Sequence, residues 1–387
     1  MNWWKAGAAL VEEFGSLTRL LGIPAGERPL VVYSEDSHSW LQLGDYLREL
    51  STGSSRPIHY LTSDPDDPLR KPGGAGLPEP LRVHYLKHLL GQYLTRLDSR
   101  VLMVTVPDLG RIVPRPPSST RCVYVFHSLI SMHVGYRPGA FEHYDDFFCT
   151  GPHHERELTA HFERLGQPVP VLHRVGYAKL DRLHQAFRSR NPREHEPRTV
   201  LLAPSWQRQN LLEAGGIDAA ASLLDAGFRV VVRPHPCFFQ PLYPEGLPIV
   251  RALEEAYSSH PRFTLERSFL SNESFYEADC MVSDWSGAAY EYAFATERPV
   301  LFVDGPRKIS NPDWESLGLP AFEETYRARV GKVVPSDELP RLAGAVESLL
   351  SEGEGFRQRL IETRNEAVFN FGQAARVGAR VLDRLLA

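Results

Sequence analysis

The chain has 387 residues, of which 42% are hydrophobic and 24% charged, and its formal net charge is −5. This composition is typical of a globular protein, and the length is enough for two α/β domains. The negative charge argues against general electrostatic binding of nucleic acid, so no nucleic-acid partner is expected. The four cysteines show no CxxC pairing and are expected to be small core residues in a reducing compartment. No stretch approaches the roughly 20 apolar residues that span a bilayer.

Residues 1–23 predict an amphipathic helix. Glu12, Glu13 and Arg19 interrupt any apolar core, so the segment does not have the pattern of a signal peptide. Its broad apolar face either packs on the protein or lies on a membrane surface. We therefore expect a cytoplasmic protein that could contact the inner face of the membrane through residues 1–23. The face consists of Trp3, Trp4, Ala8, Val11, Phe14, Leu17 and Leu21.

The N-terminal half alternates short apolar runs with segments of helical spacing. Strands are predicted at Leu30–Ser34, Pro57–Leu61, Val101–Val106, Cys122–Phe126 and Asp146–Cys149. Helices are predicted at Ser39–Leu50, Leu81–Leu97 and Glu155–Leu165. A surface loop rich in Pro, Gly and Asp is predicted at Ser63–Pro80. This alternation favours a mostly parallel sheet with helices on both faces.

A charged, proline-containing segment at 188–198 is interpreted as the linker between a first domain, residues 1–190, and a second, 191–387. Strands are predicted in the second domain at Thr199–Ala203, Phe228–Val232, Phe263–Leu265, Cys280–Val282 and Val300–Val303. Helices are predicted at Ile217–Ala226, Ile249–Ser258, Ser271–Glu277 and Gly287–Thr296, from Asp337 onward, and from about Phe356 to the C-terminus. Two such domains would form a cleft at the carboxyl ends of their strands, where ligands of α/β folds usually bind.

Two histidines follow predicted strands directly. His127 ends the run VYVFH and could take a proton from an acceptor hydroxyl; the alternative is a capping or core histidine. His235 lies between two prolines in RPHP, which hold its backbone, and Arg233 offers a planar set of donors to phosphate oxygens. The alternative for the second motif is a rigid proline turn with a surface arginine.

The segment SDWSG opens a helix immediately after a buried strand, which is a favourable place for a phosphate. The alternative is a serine N-cap on an ordinary crossover helix. Glu291, one turn into that helix, could accept hydrogen bonds from a ribose diol or could face solvent. No metal site is expected, because no ligands stand at a recognisable spacing. The candidate donor-binding residues are Ser283, Asp284, Ser286, Gly287 and Glu291, joined by Ser205 and Arg208 after the second domain's first strand.

In their order along the chain, the motifs FHS, GPHHxxE, VGYAKLD, PSW, RPHP and SDWSGAAYEYAFATERPVLF resemble the CDP-glycerol:poly(glycerophosphate) glycerophosphotransferases, the teichoic-acid polymerase family. The resemblance covers Val123 to Asp304. It implies a GT-B architecture of two Rossmann-like domains with C-terminal helices. It also implies that His127 deprotonates the acceptor hydroxyl, while His235 and Arg233 contact the donor pyrophosphate.

The resemblance further implies that Ser283, Ser286 and Gly287 bind the donor phosphates, and that attack on the β-phosphate releases CMP. The chain differs from the family pattern at Ser128, where a glycine is usual, and at Gln207, where an arginine is expected. These differences leave the acceptor and the transferred group open.

The expected function is a transferase for cell-envelope polysaccharide biosynthesis. It would move a glycerophosphate-like or glycosyl group from a CDP-activated or other nucleotide-diphosphate donor to a glycan, teichoic-acid-like or lipid-linked acceptor. Neither a cofactor nor a metal would be needed. One alternative is another GT-B enzyme, a glycosyltransferase or a nucleotide-sugar 2-epimerase; the latter needs carboxylates near the sugar, with Asp108, Glu142 and Glu155 as candidates. Another is a non-catalytic GT-B scaffold in glycan assembly.

Overall fold

The fold is built on two parallel sheets, one from each half of the chain, in a computed structural model that describes residues 3–36, 38–71, 80–191, 197–268 and 271–387. The first sheet contains β1 (Leu30–Ser34), β2 (Ile58–Thr62), β3 (Leu81–Tyr85), β4 (Val101–Val104), β5 (Arg121–Val125), β6 (Asp146–Cys149) and β7 (Val171–Arg174). The second contains β8 (Thr199–Leu202), β9 (Arg229–Val232), β10 (Phe263–Leu265), β11 (Cys280–Ser283), β12 (Val300–Asp304) and β13 (Gly331–Pro335).

The strand orders are β3-β2-β1-β4-β5-β6-β7 and β10-β9-β8-β11-β12-β13, as far as the described residues go. All neighbouring strands are parallel, with Leu30 opposite Ile58 on one side of β1 and opposite Val101 on the other. In each sheet the order reverses beside its first strand, at β1/β4 and at β8/β11. Ligands of doubly wound folds bind at the carboxyl ends of strands beside such a reversal.

The helices cover both faces of each sheet. They are α1 (Trp3–Gly22), α2 (Ser39–Gly53), α3 (Leu90–Leu94), α4 (Met132–Gly135), α5 (Pro152–Arg164), α6 (Ala178–Arg188), α7 (Leu211–Asp225), α8 (Gly246–Tyr257), α9 (Glu273–Glu277), α10 (Gly287–Thr296), α11 (Phe322–Val330), α12 (Leu342–Leu350), α13 (Gly353–Ala367) and α14 (Ala374–Leu386). Short 3₁₀ turns lie at Ala25–Glu27, Pro68–Arg70, Pro236–Phe239, Trp314–Leu317 and Ser336–Arg341.

Strand β1 shows why the continuous apolar runs became central strands. Successive side chains point to opposite faces, so Val31 and Tyr33 pack in one apolar cluster while Leu30 and Val32 pack in another. The second sheet has its own apolar core, which includes all of Val200–Leu202. Each half of the chain is thus a doubly covered parallel sheet, as the alternation of strands and helices predicts.

The last helix returns to the first sheet. Val381, Leu382 and Leu386 of α14 share an apolar cluster with Tyr46 and Leu47 of α2. The single helix predicted from about Phe356 to the C-terminus is wrong, because the chain breaks between α13 and α14. Asn370 and Gly372 there have positive φ angles of 45° and 79°, which a helix cannot accommodate.

The helix predicted at Leu81–Leu97 is also wrong. Residues Leu81–Tyr85 form edge strand β3, with Leu81 opposite Ile58 in β2, and only Leu90–Leu94 is helical. Strand β7 was not predicted. Part of the predicted loop, residues 72–79, and part of the linker, residues 192–196, lie outside the described residues.

Helix α1 confirms the predicted N-terminal helix, and one side of it is anchored to the first domain. The fully buried carboxylate of Glu13 accepts hydrogen bonds from the backbone N–H groups of Lys87, His88 and Leu89 at 2.9, 2.7 and 3.0 Å. Leu17 is buried, whereas the side chains of Val11 and Phe14 are 74% and 66% exposed. Trp3, Trp4 and Ala8 belong to a stretch whose side chains lie outside the described part. None of the described helices combines the length and apolarity that crossing a membrane requires.

Candidate active site in the interdomain cleft

A cavity of about 240 Å³ lies at the carboxyl edge of the first sheet. We call it the first-lobe pocket. It forms at the β1/β4 reversal, because the residues that follow β1, β4 and β5 all emerge on this edge. Its lining includes Glu35, Asp36, His38, Gln42, Thr105 and His127.

His127 is half-buried and held in one tautomer. Its Nδ1 lies 3.3 Å from the carbonyl oxygen of Thr105, which can only accept, so Nδ1 carries the proton. Nε2 is then unprotonated and accepts from the hydroxyl of Tyr136 at 3.3 Å. Burial lowers the pKa of His127, and the charge of Lys179 lowers it further. The imidazole is therefore neutral near pH 7, with the lone pair of a general base on Nε2.

His235 takes the opposite tautomer. Its Nδ1 accepts the backbone N–H of Cys237 at 3.2 Å, at the start of the 3₁₀ turn Pro236–Phe239. Nε2 consequently carries the proton and can donate a hydrogen bond. Burial, together with the charges of Lys308 and His38, lowers the pKa of His235 to about 3. The ring therefore stays neutral while it offers a donor.

Lys308 lies in the loop after β12, and its positive charge acts on both histidines. Its ammonium lies 4.8 Å from the centre of the Trp206 ring, and it forms no ion pair within the described part of the chain. Burial lowers the pKa of Lys308. Its charge lowers the pKa of both His127 and His235, one histidine from each domain.

The turn after β11 contains two residues that act inside the fold. Ser283 is fully buried, and its hydroxyl donates to the carbonyl of Ala203 at 2.6 Å. Asp284 is buried as well, and its carboxylate accepts the backbone N–H groups of Ser205 and Leu211 at 2.7 and 2.9 Å. Burial raises the pKa of Asp284, while these hydrogen bonds oppose the rise. Ser205 is only 2% exposed, so these hydrogen bonds lie inside the fold, where they join the turn after β11 to the loop after β8.

The N-terminus of α10 lies above them and faces the first domain. Ser286 caps the helix, accepting the N–H of Ala288. A Cβ added to Gly287 would come within 2.5 Å of the Ser128 hydroxyl oxygen. The glycine therefore permits direct contact between the helix start and the loop that carries His127.

Glu291 forms a hydrogen bond and an ion pair between the two domains. Its buried carboxylate accepts the Tyr177 hydroxyl at 2.6 Å and pairs with the Lys179 ammonium at 2.9 and 2.7 Å. The Tyr177 hydroxyl also lies 2.7 Å from the carbonyl oxygen of His127. Burial and the nearby Glu291 charge raise the pKa of Tyr177 well above its usual range. Glu291 is therefore not the solvent-facing residue that the sequence allowed as one alternative, and its carboxylate forms an interdomain contact instead of standing free for a ribose, the other alternative.

The two arginines predicted at the donor site point elsewhere. Nη1 of Arg233 donates to the carbonyl of Ser271 at 2.9 Å and to the Ser274 hydroxyl at 3.1 Å. Burial lowers the pKa of Arg233. Arg208 is 80% exposed at its side chain and pairs with Glu245 at 2.7 Å. Neither contact directs a guanidinium group into the space between the histidines.

The carboxylates considered for an epimerase are each in an ion pair. Asp108 accepts Arg137 Nε at 2.9 Å, and Glu155 accepts Arg174 Nε at 2.8 Å. Glu142 accepts the Nε2–H of His161 at 2.7 Å. Burial acts to raise the pKa of Glu142, but this hydrogen bond and others outweigh it, so that the pKa lies below its usual value. Among the described residues, no three His, Cys, Asp or Glu side chains group together as a metal site requires.

Sequence reasoning missed Lys308 and the acidic pair Glu35 and Asp36. The rule that located His127 applies equally to them, because they follow β12 and β1 at the same sheet edges.

Comparison with known proteins supports the fold. No family model and no curated protein matches the sequence. The solved structure of the wall teichoic acid polymerase TagF is similar over 98% of this chain and 95% of its own, at 12% identity and a TM-score of 0.60. A TagF structure soaked with CDPG gives a TM-score of 0.58. A putative UDP-N-acetylglucosamine 2-epimerase from Listeria monocytogenes is similar over 90% of this chain and 94% of its own, at 12% identity and a TM-score of 0.55.

Identities this low carry information about architecture only. The paired parallel sheets, the C-terminal helices and the near-complete overlap with these structures agree with the architecture that the sequence motifs imply. The chain has a GT-B fold like that of TagF.

Proposed function

We propose that the protein is a transferase that moves a glycerophosphate-like or glycosyl group from a nucleotide-diphosphate donor to a hydroxyl of a cell-envelope glycan or lipid-linked acceptor. A CDP-linked donor is the first candidate. In this proposal the donor diphosphate lies at the N-terminus of α10, beside Lys308 and His235. The acceptor occupies the first-lobe pocket beside His127. The reaction needs no cofactor, since fixed dipoles and cations can carry the phosphate charge.

The single observation that carries the proposal is the hydrogen bonding that fixes opposite tautomers on His127 and His235, one histidine in each domain. His127 offers a lone pair on Nε2, which a general base requires. His235 offers an N–H from Nε2, which suits a phosphate oxygen. Each domain thus supplies one neutral histidine, and the charge of Lys308, which forms no ion pair within the described residues, lowers the pKa of both.

The proposed step is a simple displacement. The acceptor O–H gives its proton to Nε2 of His127, and the acceptor oxygen bonds to the donor's β-phosphorus or, for a sugar, to the anomeric carbon. The bond from that atom to the nucleotide's bridging or terminal phosphate oxygen breaks. The electron pair leaves with CMP or with the nucleoside diphosphate, whose charge Lys308, His235 and the backbone N–H groups of α10 stabilise. Because Tyr136 occupies Nε2 here, the acceptor hydroxyl must displace it.

The test is nucleotide release from a panel of CDP-, UDP- and GDP-activated donors with glycan and lipid-linked acceptors. We expect acceptor-dependent release, reduced roughly 100-fold or more in His127→Ala and strongly in His235→Ala, with the fold retained. His143→Ala, at an exposed histidine of the same domain, is the matched control. Full activity in both cleft variants would favour the scaffold interpretation.

A 2-epimerase remains a second candidate because of one observation. The first-lobe pocket holds Glu35 and Asp36 near His127, although the carboxylates suggested by the sequence are all paired. Acceptor dependence separates the two functions. An epimerase would convert a UDP-linked sugar with no acceptor present, whereas the proposed transferase would not.

We further propose that α1 contacts a membrane surface. Leu10, Val11, Phe14 and Leu21 of α1 remain exposed, and the sequence places two tryptophans at the start of the helix. Co-sedimentation with anionic vesicles tests this. Val11→Ser/Phe14→Ser should weaken the binding, and equal binding of the variant and the parent would refute it.

A further inference from the structure

The loop that carries Lys308 leaves its own domain and lies on the first one. It consists of residues 305–321, which connect β12 to α11, and we call it the Lys308 loop. The backbone N–H of Ser310 in this loop donates to the carbonyl oxygen of Val134 in α4 at 2.9 Å. Because Ser310 stands only two residues after Lys308, the position of the lysine depends on the first domain as well as on its own.

His133 of α4 joins this contact through its backbone and its ring. Its carbonyl oxygen accepts a hydrogen bond from Nδ2 of Asn311 at 2.8 Å. Its ring Nδ1 lies 3.1 Å from the Glu157 carboxylate in α5, and its Nε2 lies 3.3 Å from the carbonyl oxygen of Leu319 in the Lys308 loop. The side chains of His133 and Glu157 are only 1% and 2% exposed, so water does not screen their interaction.

Both ring nitrogens of His133 face groups that only accept. The Leu319 carbonyl has no proton to give, and the Glu157 carboxylate already accepts three other donors. These are the Ser131 hydroxyl at 2.9 Å and the backbone N–H groups of Met132 and His133 at 2.6 and 3.3 Å. The ring therefore carries a proton on each nitrogen and is an imidazolium. Burial acts to lower the pKa of His133, but the contact with Glu157 outweighs it, so the pKa lies above its usual value.

Carboxylates from both domains act on the His133 ring. Besides Glu157 of α5, Glu323 of α11 raises the pKa of His133 when it is charged. Burial lowers the pKa of His153, also in α5, and the nearby charge of His133 lowers it further, so His153 stays neutral. From the Lys308 loop, the ring of Trp314 lies 6.4 Å from the His133 ring between centres.

We propose that His133 is a positioning residue for the donor site, which as an imidazolium joins the Lys308 loop to the first domain and so holds Lys308 where the donor diphosphate binds. The inference rests on the proposed function, which assigns Lys308 to that diphosphate. A neutral ring donates from one nitrogen only. It would turn a lone pair toward either Leu319 or Glu157, and that acceptor would lose its donor. Deprotonation should therefore loosen the loop and weaken the contact of Lys308 with the phosphates.

The direction of the pH dependence follows from the raised pKa of His133. The contact is complete below the ordinary histidine pKa of 6.5 and is lost as the pH rises through the higher pKa of the folded protein. The affinity for CDP should consequently fall on the alkaline side. Lys308 and the CDP phosphates titrate as well, so the wild type must be compared with a variant that keeps both and lacks only the titrating ring.

Two variants separate the two ring contacts. In His133→Gln the amide nitrogen can replace Nε2 and still donate to the Leu319 carbonyl, whereas the shorter amide of His133→Asn reaches only the position of Nδ1. His143→Asn, at an exposed histidine of the same domain, is the matched control. Binding of CDP and of cytidine is measured by calorimetric titration from about pH 6 to 9, with and without Lys308→Met in the same chain.

We expect His133→Asn to bind CDP about tenfold more weakly at pH 7 and His133→Gln less than about threefold more weakly, with cytidine affinity unchanged in both. In the Lys308→Met background, His133→Asn should have no further effect, because it acts through the lysine. The ratio of wild-type to His133→Gln affinity for CDP should fall as the pH rises from about 7 to 9. Nitrogen NMR of isotopically labelled histidine side chains in the wild type should show both nitrogens of His133 protonated at pH 7.

A neutral His133 ring at pH 7 would overturn the inference even if neither variant folds. An equal loss for CDP and cytidine, a loss in His133→Asn that persists in full without Lys308, a similar loss in His143→Asn, or no CDP binding by the wild type would also overturn it. Nucleotide release is followed separately with the donor panel. A protein that shows the expected coupling but releases no nucleotide would support the positioning of Lys308 and refute the proposed transfer.

Discussion

Replacing Lys308 with methionine isolates the cation that the two histidines share. The ammonium lies over Trp206 and has no carboxylate partner among the described residues, so its removal breaks no ion pair of the fold. A charge-assisted hydrogen bond to a phosphate is worth about 1.5–3 kcal/mol. Since about 1.4 kcal/mol corresponds to a factor of ten, a nucleoside diphosphate should bind roughly 10- to 100-fold more weakly to Lys308→Met.

Calorimetric titration with CDP and with cytidine measures this effect. Cytidine lacks the diphosphate, so its affinity should be the same in Lys308→Met and the wild type. Because Lys308 lowers the pKa of His127, the variant should also move the acidic limb of the kcat/KM profile to higher pH. Lys332→Met, at an exposed position of β13, should change neither quantity. CDP affinity within twofold of the wild type, or an equal loss for cytidine, would refute the assignment.

Three further outcomes follow from the site. Glu323 of α11 is buried, and its carboxylate accepts the backbone N–H of Ser131 at 3.3 Å. Burial raises the pKa of Glu323 to about 7, so the folded state keeps a proton that the unfolded chain loses above its own pKa. The free energy of unfolding therefore falls as pH rises from about 4.5 to 7. Glu323→Gln mimics the protonated form and should be more stable than the wild type by about 3 kcal/mol near pH 8 and by little near pH 4.5, in denaturant titrations; a constant difference would contradict this. Tyr136→Phe vacates Nε2 of His127 and should leave kcat within about threefold of the wild type or raise it, whereas a loss like that of His127→Ala would make the phenol part of the proton path. Activity should survive EDTA; abolition by the chelator and rescue by Mg²⁺ would contradict a mechanism that needs no metal.

Local sequence was sufficient to predict where a residue lies wherever that position depends on a single strand and the loop that follows it. The apolar run before His127 predicts a buried parallel strand, and the imidazole then has to emerge at the carboxyl edge of the sheet. Ser286 and Gly287 were located in the same way, at the start of a helix after a strand. The fold class follows from the alternation of such units, because each unit buries two faces and must join a covered parallel sheet.

Long-range contacts decided what local sequence could not. The spacing in Leu81–Leu97 suits a helix, but pairing with β2 makes its first part an edge strand. Ser283 and Gly287 stand four residues apart in one turn, yet only the sheet shows that the first points into the core. The ion-pair partner of Glu291 is Lys179, 112 residues earlier in the chain, and no sequence pattern near either residue predicts that pair.

The return of α14 to the first sheet means that the polypeptide joins the two halves twice, once after α6 and again through residues 368–373. Two covalent connections leave one main axis about which the halves can rotate. The Glu291–Lys179 pair lies beside these connections, because Lys179 belongs to α6, whose Asp181 accepts the backbone N–H of Gly372 in the second connection at 2.7 Å. Rotation about this axis would therefore preserve the pair, while a donor whose phosphates attracted Lys308 would draw the two halves together.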